Sequence, residues 1–352
     1  MKIADLAVLR ETGECSMATI RDVAKLANVS IATVSRVINQ NGYVNGETKK
    51  KVNNAIELLK YKPNSIAKGL ASGKTKTMAL ILPDISNPFF SELARAVEDS
   101  ASSQGYTVFL CNTDSDTNKE KDYIRKMKDR FVDGILFAGH TLQEPEIKTL
   151  EEEKIPLVVL DRAPGEDICL VVRSNNREGA KLAVRHLLEI GCNKIAHIYG
   201  PQEVATARER LLGFEEAVKE FSWYTPSLLE QGDFTIKGGM DAVGLLLKRH
   251  PDVDGIFTGN DLMALGALKK LKQLKIKVPD QISLIGFDGI ELTEITEPEI
   301  TTIAQPIYQI GSLATSLLIK KIEGSLLLHK SHEIDVELVV RGSTKGNSKV
   351  IS

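Results

Sequence analysis

Seven polar side chains stand just past apolar runs of the chain, where open α/β sheets present ligands. Asn87 follows MALILP (78–83), with Phe89 and Phe90 beside it. Asp161 and Arg162 follow PLVVL (156–160), and Arg208 lies on the helix expected after KIAHIYG (194–200). Asn260 follows DGIFT (254–258), Asp288 follows ISLIGF (282–287), and Gln305 comes after Thr301-Thr302-Ile303-Ala304. The two carboxylates and two guanidiniums cancel, so a pocket built from this set suits an uncharged polyhydroxyl ligand better than a phosphate. Each hydroxyl donates and accepts, and carboxylate, guanidinium and amide groups match both roles. Phe89, Phe90 and Phe234 have faces that can press on the C–H surface of a sugar ring, giving the apolar walls a small-molecule site needs. Each residue also has a plainer use. Asp161 and Arg162 can pair at the surface, Asn260 can cap a helix, Asp288 can turn the chain with Gly289, and the phenylalanines can be core.

A second chemistry lies in residues 19–39, TIRDVAKLANVSIATVSRVIN. The pattern is that of a helix-turn-helix, in which one short helix braces another that can enter a DNA major groove. Thr19 with Asp22 fits a capping pair at a helix start. Ile20, Val23, Ala24 and Ala27 recur at helical spacing. Asn28-Val29-Ser30 makes the turn, and Ser30 can cap the next helix. Val34, Val37 and Ile38 form its inner face, leaving Ile31, Ala32, Thr33, Ser35 and Arg36 outward. Arginine can present a bidentate fork to guanine, and small apolar side chains can meet thymine methyls. An ordinary αα-hairpin shares much of this pattern, so the neighbours matter.

Those neighbours are basic. Between Met17 and Thr77 eleven Lys and Arg face three Asp and Glu, a net +8, whereas the whole chain carries −2. A basic head on an acidic body suits a polyanion-binding module joined to something else. A third helix follows Asn45, with Val52, Ala55, Ile56 and Leu59 inward, and Pro63 ends it. From Met78 onward, strand-like runs alternate with amphipathic segments. Besides those named, the runs are YTVFLC (106–111) and GILFA (134–138). Such alternation predicts parallel sheets with helices on both faces. The stretch is long for one sheet, so two similar lobes are expected.

In order and at consistent spacing, these motifs resemble the lac repressor family of bacterial transcription regulators over residues 18–344. The carrying residues are Thr19-Ile-Arg-Asp-Val-Ala, Val29-Ser30, Ala32 to Asn39, Tyr61-Lys62-Pro63-Asn64 through Leu70, Val132-Asp133-Gly134-Ile135, Gly286-Phe287-Asp288 and Thr301-Thr302-Ile303. The resemblance implies an N-terminal three-helix helix-turn-helix domain (17–62), a hinge helix and linker (63–77) and an α/β periplasmic-binding-protein-like core of two parallel-sheet lobes (78–344). Lobe 1 would span about 78–174 and 306–332, lobe 2 about 175–303 and 333–344, with a tail at 345–352. The implied DNA contacts are Thr19, Ser30, Ile31, Ala32, Thr33, Ser35, Arg36 and Asn39, joined by Asn64, Ala67 and Leu70 of the hinge. Leu70 would wedge into the minor groove. The implied partners are palindromic operator DNA, a small sugar and a second copy of the chain. Asn87, Phe89, Phe90, Asp161, Arg162, Arg208, Phe234, Asn260, Asp288 and Gln305 resemble, position by position, the sugar contacts of ribose-binding proteins and ribose-operon repressors. Ribose is therefore the expected sugar. A catabolite-control regulator of the same family, answering a phosphoprotein or phosphosugar, stays open, as does a sugar-modifying enzyme.

The chain has no GxSxG, HExxH or strand-following GxGxxG, and its six histidines form no ligand cluster, so neither catalysis nor a cofactor or metal is expected. Cys15, Cys111, Cys169 and Cys192 have no CxxC spacing, and free thiols fit the reducing cytosol. No apolar run reaches the roughly 18 residues of a membrane span. Residues 1–16 make a poor signal peptide. Met17 is the expected natural start, which makes 1–16 a non-native extension.

Overall fold

The structure is a computed structural model that describes residues 18–62, 74–130, 132–139, 142, 144–160, 169–326 and 329–346. The expected 1–16 extension and the hinge between 63 and 73 lie outside them. The chain divides into two units, Met1–Thr75 and Lys76–Ser352.

Among the described residues, the first unit has three helices, α1 (Ile20–Ala27), α2 (Ile31–Asn39) and α3 (Gly46–Leu59). Its start is a full capping box: Asp22 N–H donates to Thr19 Oγ1 at 3.4 Å, and Thr19 N–H donates back to Asp22 Oδ2 at 2.9 Å. Asn28 ends α1 and Gln40 ends α2, both in the left-handed conformation that releases the chain from a helix. Val23, Ala24, Ala27, Val34, Val37, Val52 and Ala55 close a small core. The helical spacing of these residues in the sequence is therefore what packs the three helices together.

The second unit is built from two sheets. Sheet 1 contains β1 (Thr77–Leu82), β2 (Thr107–Asn112), β3 (Gly134–Phe137), β4 (Leu157–Leu160), β5 (Leu170–Ser174) and β11 (Ser331–Ile334), in the order β11-β5-β4-β3-β1-β2. Its pairs are all parallel. Sheet 2 contains β6 (Ile195–Tyr199), β7 (Leu229–Gln231), β8 (Gly255–Thr258), β9 (Ser283–Asp288), β10 (Thr301–Ala304) and β12 (Glu337–Val339), ordered β12-β10-β9-β8-β6-β7. Only the β10–β12 pair is antiparallel. β3, β4, β8 and β9 are buried at every residue, which explains their unbroken apolar runs. The expected fold class is the observed one.

Each sheet is covered by its own helices. α4 (Pro88–Ser103), α5 (Thr117–Asp129), α6 (Glu144–Glu152) and α11 (Ile307–Ile322) serve sheet 1; α7 (Asn176–Glu189), α8 (Ala205–Val218), α9 (Ile236–Arg249) and α10 (Asp261–Gln273) serve sheet 2. The chain passes between the sheets after β5, after β10 and after β11. Both sheets reverse strand order beside their first strand, at β1/β3 and β6/β8. The crevice beyond the carboxyl ends is where such folds bind ligands. β5, β7, β10, β11 and β12 are additional to the seven runs read from sequence. β7, β11 and β12 are edge strands of three or four half-exposed residues, too short and polar to show as apolar runs.

Candidate functional site

The head presents one helix face. Ser30 caps α2 by accepting from Thr33 N–H at 3.1 Å, and its hydroxyl lies 2.9 Å from Thr33 Oγ1. Val34 and Val37 are buried. That anchoring leaves Ile31, Ala32, Arg36 and Asn39 exposed, with Thr33 and Ser35 half-buried. Asn39 Nδ2 donates to Ser35 Oγ at 3.1 Å, fixing two polar groups one turn apart. Ile31, at 45% exposure, is an apolar side chain on the outward face of α2. Lys49, Lys50 and Lys51 are exposed on α3. Thr19 is exposed but committed to its capping box. Asn64, Ala67 and Leu70 lie outside the described residues.

In the second unit the candidate residues follow strands. Asn87 caps α4, accepting from Phe89 N–H at 3.1 Å. Phe89 is buried, and its ring meets that of Phe90 edge-on at 5.0 Å. Phe89 belongs to the cluster that holds Leu80, Leu82 and Ile307, so it is part of the core, whereas Phe90 is half-buried against that core. Asp161 and Arg162 lie outside the described residues.

Sheet 2 carries the denser cluster. Asp288 ends β9 and is 4% exposed. Gln305 Nε2 donates to its Oδ1 at 2.8 Å, and Arg210 Nη1 lies 3.3 Å from the same oxygen. Arg210 also donates from Nε to Asn176 Oδ1 at 2.8 Å and from Nη1 to the Gly259 carbonyl at 2.5 Å. Its guanidinium lies 3.8 Å from the centre of the Phe287 ring. Asn260 caps α10 by accepting from Met263 N–H at 2.9 Å, and donates from Nδ2 to the Phe234 carbonyl at 3.1 Å. An amide has four hydrogen-bonding positions, so one N–H and one lone pair of Asn260 are left. Phe234 is half-buried with φ +65°. Burial pushes the Asp288 carboxyl up, while Arg210 and Gln305 pull it back down. Beneath lies His197, fully buried between Phe214 and Phe257 and held down to about 3 by desolvation.

Arg208 is placed apart from this cluster. It is exposed and donates to the Gln202 carbonyl at 2.6 Å. The guanidinium beside Asp288 is Arg210's, two positions later. A signal for it was present: Ala207, Arg210, Phe214 and Val218 recur at helical spacing on the buried face of α8, and Arg208 falls off that stripe. Asn176 and Asp261 were missed as well. Each is a polar residue tied to the cluster by partners far away in sequence, Arg210 for Asn176 and Gly289, Ile290 and Thr302 for Asp261, which no local pattern reveals.

Among the described residues, no helix is long and apolar enough to cross a membrane, and no group of three or more His, Cys, Asp or Glu could hold a metal ion.

Two families match the chain. Bacterial regulatory proteins of the lacI family match residues 19–64, and the family of periplasmic binding proteins and sugar binding domains of the LacI family matches residues 75–341. A ribose operon repressor of Halalkalibacterium halodurans is 47% identical over 330 residues, covering 94% of this chain and 98% of the relative. The lac repressor dimer bound to operator and the anti-inducer ONPF aligns with a TM-score of 0.85 at 26% identity, covering 94% of this chain and 100% of that one. A LacI family transcriptional regulator from Enterococcus faecium, with bound ribose, aligns at 0.70 and 31% identity, covering 76% of this chain and 98% of that one.

Proposed function

This chain belongs to the lacI family of bacterial regulatory proteins, and from that premise we propose that it is a sequence-specific, operator-binding transcriptional repressor controlled by a small sugar, ribose. The observation that carries the sugar half of this reading is the Asp288 cluster. A buried carboxylate at the carboxyl end of a parallel strand sits between Arg210 and Gln305, and Gln305 Oε1 is buried with no donor among the described residues. A carboxylate and an amide oxygen ask for donors, and adjacent sugar hydroxyls supply them without bringing a charge. The names of the Halalkalibacterium and Enterococcus relatives point to the same ligand.

We assign Asn87, Phe90, Asp161, Arg162, Phe234, Asn260, Asp288 and Gln305 to this sugar, and add Arg210, which does the work first expected of Arg208. Phe89 supports Phe90 from the core. On the DNA side, Ile31, Ala32 and Arg36 read base edges, Thr33, Ser35 and Asn39 flank them, and the exposed lysines of α3 neutralise phosphates. Leu70, with Asn64 and Ala67, serves as the minor-groove element. The working form is a cytoplasmic homodimer on a palindromic operator. No catalytic step is assigned.

Sugar and operator must influence each other equally, since a coupling free energy between two sites is reciprocal. Ribose is expected to lower operator affinity. Calorimetry with ribose beside a panel of other pentoses and hexoses tests the ligand; a preference for any other sugar replaces ribose. A mobility-shift titration tests the sign. Tighter operator binding with ribose would overturn the induction scheme.

A further inference from the structure

Two of the expected sugar residues, Phe234 and Asp288, have positive φ although neither is glycine, at +65° and +120°. Such backbone is costly for a residue with a side chain and persists only where its surroundings hold it. Both are held by the first turn of α10. Asn260 takes the Phe234 carbonyl at 3.1 Å. Asp261, the next residue, holds the chain that follows Asp288.

The Asp261 carboxylate is fully buried. Its Oδ2 accepts from Gly289 N–H at 2.7 Å and from Ile290 N–H at 2.9 Å. Its Oδ1 accepts from Thr302 Oγ1 at 2.7 Å. Successive backbone N–H groups thus converge on one oxygen of this buried carboxyl, whose pKa burial and the neighbouring Asp288 charge push up to about 8 while these hydrogen bonds pull it back. Gly289 has φ +82°, so the turn has two consecutive residues with positive φ. Room for the carboxylate comes from β9: a Cβ at Gly286 would stand 2.0 Å from Asp261 Oδ1. Three elements thus meet at one side chain, and the residue whose backbone they fix is Asp288.

We propose that Asp261 is a positioning residue: its carboxylate clamps the Asp288–Gly289–Ile290 turn and thereby aims the Asp288 carboxylate at the sugar. The aiming clause rests on the sugar reading above; the clamp does not. Asp261 touches no ligand and acts through Asp288. Without it, the N–H groups of half-buried Gly289 and buried Ile290 lose their acceptor and the strained turn relaxes.

The test uses the full chain and four variants: Asp261→Ala, Asp261→Asn, Asp288→Ala and the Asp261→Ala/Asp288→Ala pair. Hydrogen exchange without sugar reads the clamp. In Asp261→Ala the Gly289 and Ile290 amides are expected to exchange roughly ten- to hundredfold faster, a range set by the cost of such strained residues. Asp261→Asn should protect them, because its amide oxygen accepts both N–H groups while its NH2 donates to Thr302 Oγ1. Unchanged protection in Asp261→Ala overturns the proposal whatever ribose does. Calorimetry reads the aim. Ribose Kd is expected to rise by roughly ten- to hundredfold in Asp261→Ala with stoichiometry unchanged, and Asn should restore it. A purely structural role would lower stoichiometry and leave Kd alone, which also overturns the proposal. In the Asp288→Ala background the Asp261→Ala effect should vanish; full additivity means Asp261 does not act through Asp288. Should Asp261→Ala fail to fold, Thr302→Val, which removes one of the three donors, must shift exchange and Kd the same way. Wild-type protein that ignores ribose overturns the sugar reading and the aim together, and exchange then decides the clamp alone.

Discussion

The side chains proposed to read base edges all belong to one nine-residue helix, α2, and a Ser30 cap with two buried valines is enough to turn them outward. Around Asp288 the linked groups come from five places, α7, α8, the residue after β8, the end of β9 and the residue after β10. The first arrangement is local and exposed; the second is non-local and buried. The physical consequence is a different link between function and stability. A charge on the surface of α2 can be removed with little effect on folding, since exposed substitutions usually stay within about 0.5 kcal/mol. A charge in the Asp288 cluster is a partner of another buried charge, so its removal strikes both.

The largest expected effect follows directly. Arg210→Ala leaves Asp288 buried without its cation and should destabilise the second unit by about 3–5 kcal/mol. Urea unfolding followed by Trp223 reads it, because this single tryptophan packs against the cores of sheet 2. A loss under about 1 kcal/mol would show that Asp288 is not a charge needing Arg210, and the contrast between the two regions would collapse. His197 comes next. Its pKa is held down to about 3 in the folded protein, against about 6.5 unfolded. The unfolded chain therefore binds the extra proton, so this group's stabilisation is complete above about 6.5 and is lost as pH falls toward about 3. Between pH 6.5 and 5 the loss approaches about 2 kcal/mol. His197→Phe should remove that share of the acid slope, read as the difference in unfolding free energy between pH 7 and pH 5. An unaltered slope would mean that His197 is not buried neutral.

The same contrast governs what the sequence could reveal. The head was legible because caps, turn and apolar stripe all lie within a few residues of one another, and the family motifs fall on them. Asp288, Asn260 and Gln305 were legible for a different reason: parallel strands announce themselves as apolar runs, and ligands gather where such runs end. What those residues touch was not legible. Arg210 sits on an apolar helix stripe, where a cation is least expected, and the partners that make it tolerable lie 34, 49 and 78 positions away, at Asn176, Gly259 and Asp288. Asp261 is hidden for the same reason, since its donors lie 28, 29 and 41 positions downstream. The positive φ of Phe234 and Asp288 leaves no trace either, because glycine, the usual marker, is absent at both.

Within the head the effects should be smaller and should separate cleanly from folding. Arg36→Ala is expected to cost about 1–3 kcal/mol on operator and much less on random DNA, measured by fluorescence anisotropy at one salt concentration. Equal losses on both would make Arg36 a phosphate contact. Urea unfolding should not move, unlike that of Arg210→Ala.

Thr19 gives the smallest effect and the finest test. Its resemblance to a DNA contact competes with the box it occupies. The hydroxyl donates its one proton to Asp22 Oδ2 at 2.7 Å, and its own N–H also goes to Asp22 Oδ2. A phosphate oxygen is an acceptor, so it finds no proton left on either group unless the box opens. Thr19→Ala should therefore cost about 1 kcal/mol of α1 stability through the lost cap, seen as faster hydrogen exchange at Val23 and Ala24. Operator and random DNA should weaken together, because a looser α1 braces α2 less firmly whatever the sequence bound. Thr19→Ser keeps the hydroxyl and should restore both readings. Normal exchange in Thr19→Ala combined with weak operator binding would mean that the hydroxyl leaves Asp22 for the phosphate. Even the head would then hold a residue whose function its free structure does not display.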